Sequence, residues 1–102
     1  MNKIILDKQP QLIELCKHFH AHRLEVFGSV TRDDFDPEKS DLDFLVVFEE
    51  MAPGEHADSY FGLLSALEAL FDRNIDLVEL KAITNPYFLE AVEESRVNLY
   101  AA

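Results

Sequence analysis

The chain is organised around two stretches, Val26-Phe-Gly-Ser-Val-Thr-Arg32 and Ser40-Asp-Leu-Asp-Phe-Leu-Val-Val-Phe48. The first ends a short apolar segment in a small-residue turn, Gly28-Ser29. The second opens with two carboxylates, Asp41 and Asp43, and continues as an apolar run that predicts a buried strand. Because alternate residues of a strand point to the same side, the two carboxylates are expected to project together.

Carboxylates at the edge of an apolar core need a compensating group. Like charges roughly 6–7 Å apart along a strand repel each other unless a cation lies between them. A hard divalent ion such as Mg²⁺ binds one or two carboxylates together with the phosphate oxygens of a substrate. Gly28 permits close approach of a phosphate, and a turn begun by Ser29 points backbone N–H groups at an anion. Arg32, about one helical turn further, is placed to reach a triphosphate. The two stretches therefore predict a phosphate-binding turn that faces a metal site.

The composition is that of a folded globule, with 102 residues of which 48% are apolar. This length predicts one domain, residues 1–102. No apolar run approaches the ~20 residues that span a bilayer, and the N-terminal segment is too short and too soon charged for a signal peptide. The single cysteine, Cys16, excludes an intramolecular disulfide and fits a reducing cytoplasm, so a cytoplasmic location is expected.

The formal net charge of −11 is large for this length. It argues against direct binding to nucleic acid, which depends on Lys and Arg side chains that neutralise phosphates. It is compatible with a basic protein partner and with divalent cations. A solvated acidic surface that keeps the protein soluble accounts for most of these charges without any partner.

The pattern of apolar residues predicts an amphipathic helix over residues 8–22, with Asp7 as its cap and Leu12, Leu15, Cys16 and Phe19 on one face. Cys16 is expected to be an inert core residue. His18 and His22 would then share a face at a spacing that can bind metal. No third ligand is evident nearby, so surface histidines are the favoured interpretation.

The remaining elements alternate between strands and helices. In the first half we expect a strand over Leu24–Phe27, a short helix begun by Ser29, an acidic loop over residues 33–39 and a strand over Leu42–Phe48 that is covered on both faces. A loop over residues 49–55 and a helix from Asp58 or Ser59 to about Asp72 follow. The chain then continues with a strand over residues 74–80, a helix begun by Asn85-Pro86 that ends near Glu94, and a terminal strand or extended tail over residues 97–100. This order predicts an α/β (α+β) fold, with a small mixed β-sheet packed against about four α-helices.

Three acids stand out against apolar neighbours, Asp41, Asp43 and Asp76, and each lies at or near the start of a predicted strand. If the strands are neighbours, the three carboxylates converge. Two would hold metal ions on a nucleoside triphosphate. The third could bind a metal ion and accept the proton of an attacking hydroxyl.

These residues resemble the nucleotidyltransferase signature of the DNA polymerase β superfamily. The resemblance lies in Gly28-Ser29, then Ser40-Asp-Leu-Asp43, then Asp76 in a later strand. It is closest to the minimal nucleotidyltransferases (MNT), and it covers nearly the whole chain. Many of these proteins are MntA-type antitoxins of HEPN–MNT toxin–antitoxin pairs, in which the MNT protein transfers AMP from ATP to a tyrosine of the HEPN toxin.

The resemblance implies a nucleotidyltransferase fold and a Mg²⁺-dependent protein adenylyltransferase, with two Mg²⁺ ions, ATP as substrate and a HEPN-domain protein as partner. It assigns Gly28, Ser29, Arg32 and Ser40 to nucleotide and phosphate binding. It assigns Asp41, Asp43 and Asp76 to catalysis and metal binding. Asp33 departs from the family's pattern, in which many members have glycine.

Two other functions remain open on the sequence. The fold can persist without catalysis, as an antitoxin that neutralises its HEPN partner by occlusion. Alternatively, the protein is a small-molecule nucleotidyltransferase, although no part of the chain is available for a separate acceptor domain. The small size also leads us to expect that a partner protein or second subunit completes the site.

Overall fold

The computed structural model describes residues 2–32 and 35–102, so Asp33 and Asp34 of the predicted acidic loop lie outside the described residues. Within them lie helices α1 (Lys3–Leu6), α2 (Gln9–His18), α3 (Pro53–Phe71) and α4 (Pro86–Ser95), strands β1 (Ala21–Phe27), β2 (Leu42–Phe48), β3 (Ile75–Glu79) and β4 (Val97–Ala101), and 3₁₀ turns Gly28–Thr31 and Leu80–Ala82. No helix in this part of the chain is long and apolar enough to cross a membrane.

The four strands form one mixed sheet in the order β3–β2–β1–β4. β1 is antiparallel to both of its neighbours, β2 and β4, whereas β2 and β3 run parallel. The predicted fold class, a small mixed sheet packed with about four helices, is confirmed. β2 lies inside the sheet, as its continuous apolar sequence predicted.

The sheet has two unequal faces. The larger core lies between the sheet and helices α1, α2 and α3, and from β2 it receives Leu42, Phe44 and Val46. The smaller core on the other face consists of Phe27, Leu45 and Val92, and α4 covers it. Because side chains alternate along a strand, Asp43 lies on the same face as Leu45. Asp76 lies on this second face as well, because its neighbours Ile75 and Leu77 belong to the larger core.

Helix α2 ends earlier than predicted. It stops at His18, and β1 begins at Ala21 rather than at Leu24. His20, between them, adopts the left-handed conformation with φ 63°, which ends a helix but is uncommon for a residue other than glycine. His18 and His22 therefore belong to a helix and a strand and share no helical face, and both are exposed, as surface histidines should be. Cys16 is fully buried in the larger core, as predicted, and its burial raises the thiol pKa to about 12.

Three helix starts also differ from the prediction. α3 begins at Pro53, not at Asp58 or Ser59, because proline is favoured in the first helical turn. α1 is an additional helix whose N-cap, Asn2, accepts a hydrogen bond from the Ile4 N–H at 2.9 Å. Asp7 follows α1 and is not the cap of α2.

The predicted Asn85 cap of α4 is confirmed, since the Asn85 side chain accepts hydrogen bonds from the N–H groups of Tyr87 and Phe88.

Candidate active site

The parallel pairing of β2 and β3 brings two of the predicted carboxylates together. Asp43 is the direct cross-strand neighbour of Asp76, and the two carboxyl groups are close enough to share a proton when one of them is protonated. Asp43 is half-buried and Asp76 is exposed. The sheet therefore fixes the position of both residues, and Asp76 presents its carboxylate oxygen atoms to solvent beside the half-buried Asp43.

Burial and the neighbouring acids raise the pKa of Asp43. Burial, the hydrogen bond with Asp76 and the negative charges of Asp76 and Asp41 raise the pKa of Asp43 from 3.8 to about 6, while the charge of Arg32 opposes the rise. Repulsion between carboxylates that share a site has this effect. The third acid, Asp41, is thus within electrostatic range of the pair, and its own side chain is exposed.

Gly28 lies directly against Asp43. Its φ is +76°, a conformation that favours glycine. A Cβ atom on Gly28 would lie 2.5 Å from Oδ2 of Asp43, closer than atoms can approach. Both the backbone conformation and the space therefore require glycine at the end of β1, and they place the Gly28–Thr31 turn in contact with the carboxylate.

Ser29 lies within the Gly28–Thr31 turn and does not cap it, contrary to the prediction, because the residue that precedes the turn is Phe27. The turn is closed by the Thr31 hydroxyl, which donates to the Gly28 carbonyl at 2.8 Å, and by the Arg32 N–H, which donates to the Ser29 carbonyl at 2.9 Å. The first N–H groups of any helical turn have no acceptor within it. In this turn the Gly28 N–H is already bonded to Oγ of Ser95 at 2.9 Å, so an anion would be bound by the N–H groups that follow it, beginning with that of Ser29.

Two further predicted residues flank the pair. Arg32 is exposed, directly after the turn, and its charge reaches Asp43. Ser40 precedes Asp41, and its hydroxyl accepts a hydrogen bond from the Asp36 N–H at 3.0 Å. In this arrangement the Ser40 hydroxyl closes the loop before β2, and a role in phosphate binding stays a prediction.

Two residues that support the site, Ser95 and Arg73, were not predicted. The Ser95 hydroxyl accepts a hydrogen bond from the Gly28 N–H at 2.9 Å. Arg73 donates to the carbonyls of Ser40 and Pro37 and so links the approach to β3 with the loop that carries Asp41. Both residues are ordinary polar residues at the end of a helix or in a turn, and nothing in their local sequence distinguishes them.

The donor set suits Mg²⁺, which prefers oxygen ligands and binds one or two carboxylates together with substrate phosphates. The Asp43–Asp76 pair offers two such groups. Among residues 2–32 and 35–102, no three His, Cys, Asp or Glu side chains are grouped closely enough to hold a metal ion together. The part of the chain that the structure describes therefore brings together the Asp43–Asp76 pair, and a third ligand position for Asp41 stays a prediction.

Two surface grooves contain residues of the predicted site. A polar groove of about 510 Å³ includes Lys39, Ser40, Asp41 and Arg73. A second groove of about 460 Å³ lies between Thr31, Arg32 and the end of α4. An apolar groove of about 630 Å³ between α2 and α3 contains none of the predicted site residues, so groove size alone does not identify the site.

The nucleotidyltransferase domain family matches residues 10–99, which include every residue of the predicted site. The chain belongs to this family. The nucleotidyltransferase is also similar to two proteins of Methanocaldococcus jannaschii whose names describe protein adenylyltransferases. They are 30% and 33% identical to it over 95 residues, which cover 93% of this chain and 91% of each relative. The predicted enzyme class, a nucleotidyltransferase, is confirmed.

Solved structures support the same fold. A structure described as a minimal nucleotidyltransferase is 31% identical, with a TM-score of 0.68 and coverage of 95% of both chains. A complex of a tri-AMPylated Shewanella oneidensis HEPN toxin with its MNT antitoxin matches with a TM-score of 0.65 at 17% identity, over 95% of this chain and 72% of that one. A toxin–antitoxin structure with AMP-PNP matches with a TM-score of 0.67 at 18% identity, over 92% and 73%. The predicted membership of the minimal nucleotidyltransferases is confirmed.

Proposed function

We propose that this nucleotidyltransferase transfers AMP from ATP, with Mg²⁺, to a tyrosine hydroxyl of a HEPN-domain toxin and thereby acts as an antitoxin. The observation that carries the proposal is the Asp43–Asp76 pair on adjacent strands, with Gly28 packed against Asp43. The names of the Methanocaldococcus relatives support protein as the acceptor. The complexes of related fold that contain HEPN toxins support the partner.

Each part of the site has a proposed role. Asp41, Asp43 and Asp76 would hold Mg²⁺, and the Gly28–Thr31 turn, through Ser29, would donate backbone N–H groups to the triphosphate. Arg32 offers its planar fork of donors to the same phosphates. When bound, Mg²⁺ offsets the charge of the triphosphate and polarises the reacting phosphoryl group.

The proposed reaction is an in-line substitution at the α-phosphorus of ATP. The tyrosine oxygen forms a bond to this phosphorus, the bond to the leaving pyrophosphate breaks, and Asp76 accepts the hydroxyl proton. The products are AMP-tyrosine and pyrophosphate. Asp76 suits this role because it is exposed beside Asp43 and can be reached by a side chain that another protein presents.

The exposure of the site supports the expectation that a partner protein completes it. Asp41 and Asp76 are exposed, and α4 with the Leu80–Ala82 turn covers only the adjoining part of this face. The acidic surface, with a net charge of −11, favours a partner with a basic surface. We expect the acceptor protein to contribute the contacts that hold the nucleoside, and coelution of the two proteins on size-exclusion chromatography tests this.

The decisive experiment incubates the protein with α-³²P-labelled ATP, Mg²⁺ and the product of the neighbouring gene, which the proposal expects to be a HEPN-domain protein. We expect the label to appear on a tyrosine of the partner. Asp43→Asn should abolish labelling, whereas Asp7→Asn, the same change at an exposed acid after α1, should leave it unchanged. Wild-type protein that binds ATP but labels no partner would overturn the transferase proposal.

A protection assay in cells that produce the toxin separates catalysis from occlusion. If AMP transfer silences the toxin, the double variant Asp41→Asn with Asp43→Asn loses protection although it still binds the partner. Continued protection by this variant would instead establish occlusion as the mechanism.

A further inference from the structure

The Gly28–Thr31 turn is tied to a residue far away in the sequence. The Gly28 N–H donates a 2.9 Å hydrogen bond to Oγ of Ser95, 67 positions further along the chain. Ser95 is the last residue of α4, and its hydroxyl also donates to the Ala91 carbonyl at 3.4 Å. A serine hydroxyl can donate and accept at the same time, so this side chain joins the turn to its own helix.

The end of α4 is itself fixed to the sheet. Arg96, the next residue, places Nε 2.8 Å from Oε1 of Glu25, a β1 residue that is only 6% exposed. The Arg96 N–H donates to the carbonyl of Val92, which is buried in the smaller core. Ser95 is therefore a fixed point relative to β1, the strand that leads into Gly28.

Gly28 thus lies between two fixed groups. On one side its N–H is bonded to Ser95, and on the other its Cα faces Oδ2 of Asp43, where a Cβ would be only 2.5 Å away. We propose that Ser95 is a positioning residue that sets the distance of the Gly28–Thr31 turn from Asp43, and with it the affinity for the triphosphate. This inference rests on the proposed function, in which the turn binds the phosphates of ATP.

The test measures binding of a non-hydrolysable ATP analogue with Mg²⁺ by isothermal titration calorimetry. Ser95→Ala removes the acceptor of the Gly28 N–H, and we expect the Kd to rise about five- to tenfold, the usual effect of one lost hydrogen bond. Ser95→Thr keeps the hydroxyl, and the neighbouring groove of about 460 Å³ leaves space for the added methyl group. It should bind within about twofold of wild type. Ser65→Ala, at an exposed position of α3, is the matched control and should bind as wild type does.

Transfer kinetics distinguish positioning from a general structural role. Positioning predicts that Ser95→Ala raises KM for ATP while KM for the protein acceptor stays constant, with rescue by Ser95→Thr. A merely structural role would lower the active fraction and leave both KM values and the Kd unchanged. Equal binding by Ser95→Ala and wild type, or equally weak binding by the Thr and Ala variants, would overturn the inference alone. A wild-type protein that does not bind the analogue would overturn the proposed function as well.

Discussion

Asp43 links the stability of the fold to the chemistry of the site at the scale of a single residue. Its pKa is about 6 in the folded protein, against 3.8 for an isolated aspartate. Below pH 3.8 both states carry the proton, and Asp43 has no effect on stability. As pH rises toward 6 the unfolded chain loses the proton first, so the folded state becomes less stable, and above pH 6 the destabilisation is complete.

Asp43→Asn should therefore stabilise the metal-free protein at pH 7.5. We expect a gain of about 1 kcal/mol, a value reduced for solvent screening of this half-buried group, and a Tm higher by about 4–8 °C. Thermal unfolding of both proteins in EDTA at pH 7.5 and pH 3.5 measures the effect, which should vanish at the lower pH. A variant that is less stable than wild type at pH 7.5 would show that burial and repulsion by the neighbouring carboxylates do not destabilise ionised Asp43.

Gly28 is the second residue on which the site depends. Gly28→Ala forces a side chain into the left-handed conformation and against Asp43. We expect a loss of about 1–2 kcal/mol in stability and at least tenfold weaker binding of an ATP analogue. Gly54→Ala is the control, since a Cβ there meets nothing within 4 Å. Wild-type affinity in Gly28→Ala would contradict the proposed contact between the turn and Asp43.

At the scale of elements, helix α3 packs against the end of α2 through a glycine. A Cβ on Gly62 would overlap the ring of Phe19. Gly62→Ala should therefore lower the free energy of unfolding by about 1–3 kcal/mol, as overpacking does. Activity per folded molecule should stay at the wild-type level because this contact lies on the face of the sheet opposite the acids. Urea unfolding with Gly54→Ala as reference measures the loss, and an unchanged midpoint would mean that the Phe19 ring moves freely.

The sequence predicts individual elements better than their arrangement. The continuous apolar run from Leu42 to Phe48 was sufficient to predict a strand covered on both faces, whereas the common side of Asp41 and Asp43 stays a prediction, because Asp41 lies before the first residue of β2. The contact of Asp43 with Asp76 depends on β2 and β3 being parallel neighbours in register, which no local pattern encodes. Recognition of the family supplied that expectation.

Other features could not be predicted for physical reasons. The end of α2 depends on the left-handed backbone of His20, at a position without the glycine that usually marks such an end. The start of α3 at Pro53 was obscured by better capping residues, Asp58 and Ser59, further along the helix. The bond between Ser95 and Gly28 depends on how α4 lies across the sheet, and it was therefore visible only in three dimensions.

At the scale of the whole molecule, charge is expected to select the partners. With 20 acidic side chains against 9 Lys and Arg, the protein should not bind DNA or RNA at about 0.1 M salt, where counterion release requires many basic contacts. The fluorescence anisotropy of labelled DNA and RNA duplexes should stay constant as the protein is added up to high concentration. Binding that weakens steeply with added salt would contradict this expectation.

The proposed function requires Asp41, Asp43 and Asp76 to gather around a divalent cation within reach of the Gly28–Thr31 turn. A crystal structure with Mg²⁺ and a non-hydrolysable ATP analogue measures this directly. We expect Mg²⁺ at about 2.1 Å from carboxylate oxygens of these residues and from triphosphate oxygens, with the triphosphate against the turn. A metal ion bound elsewhere, or a triphosphate away from Gly28 and Ser29, would contradict it.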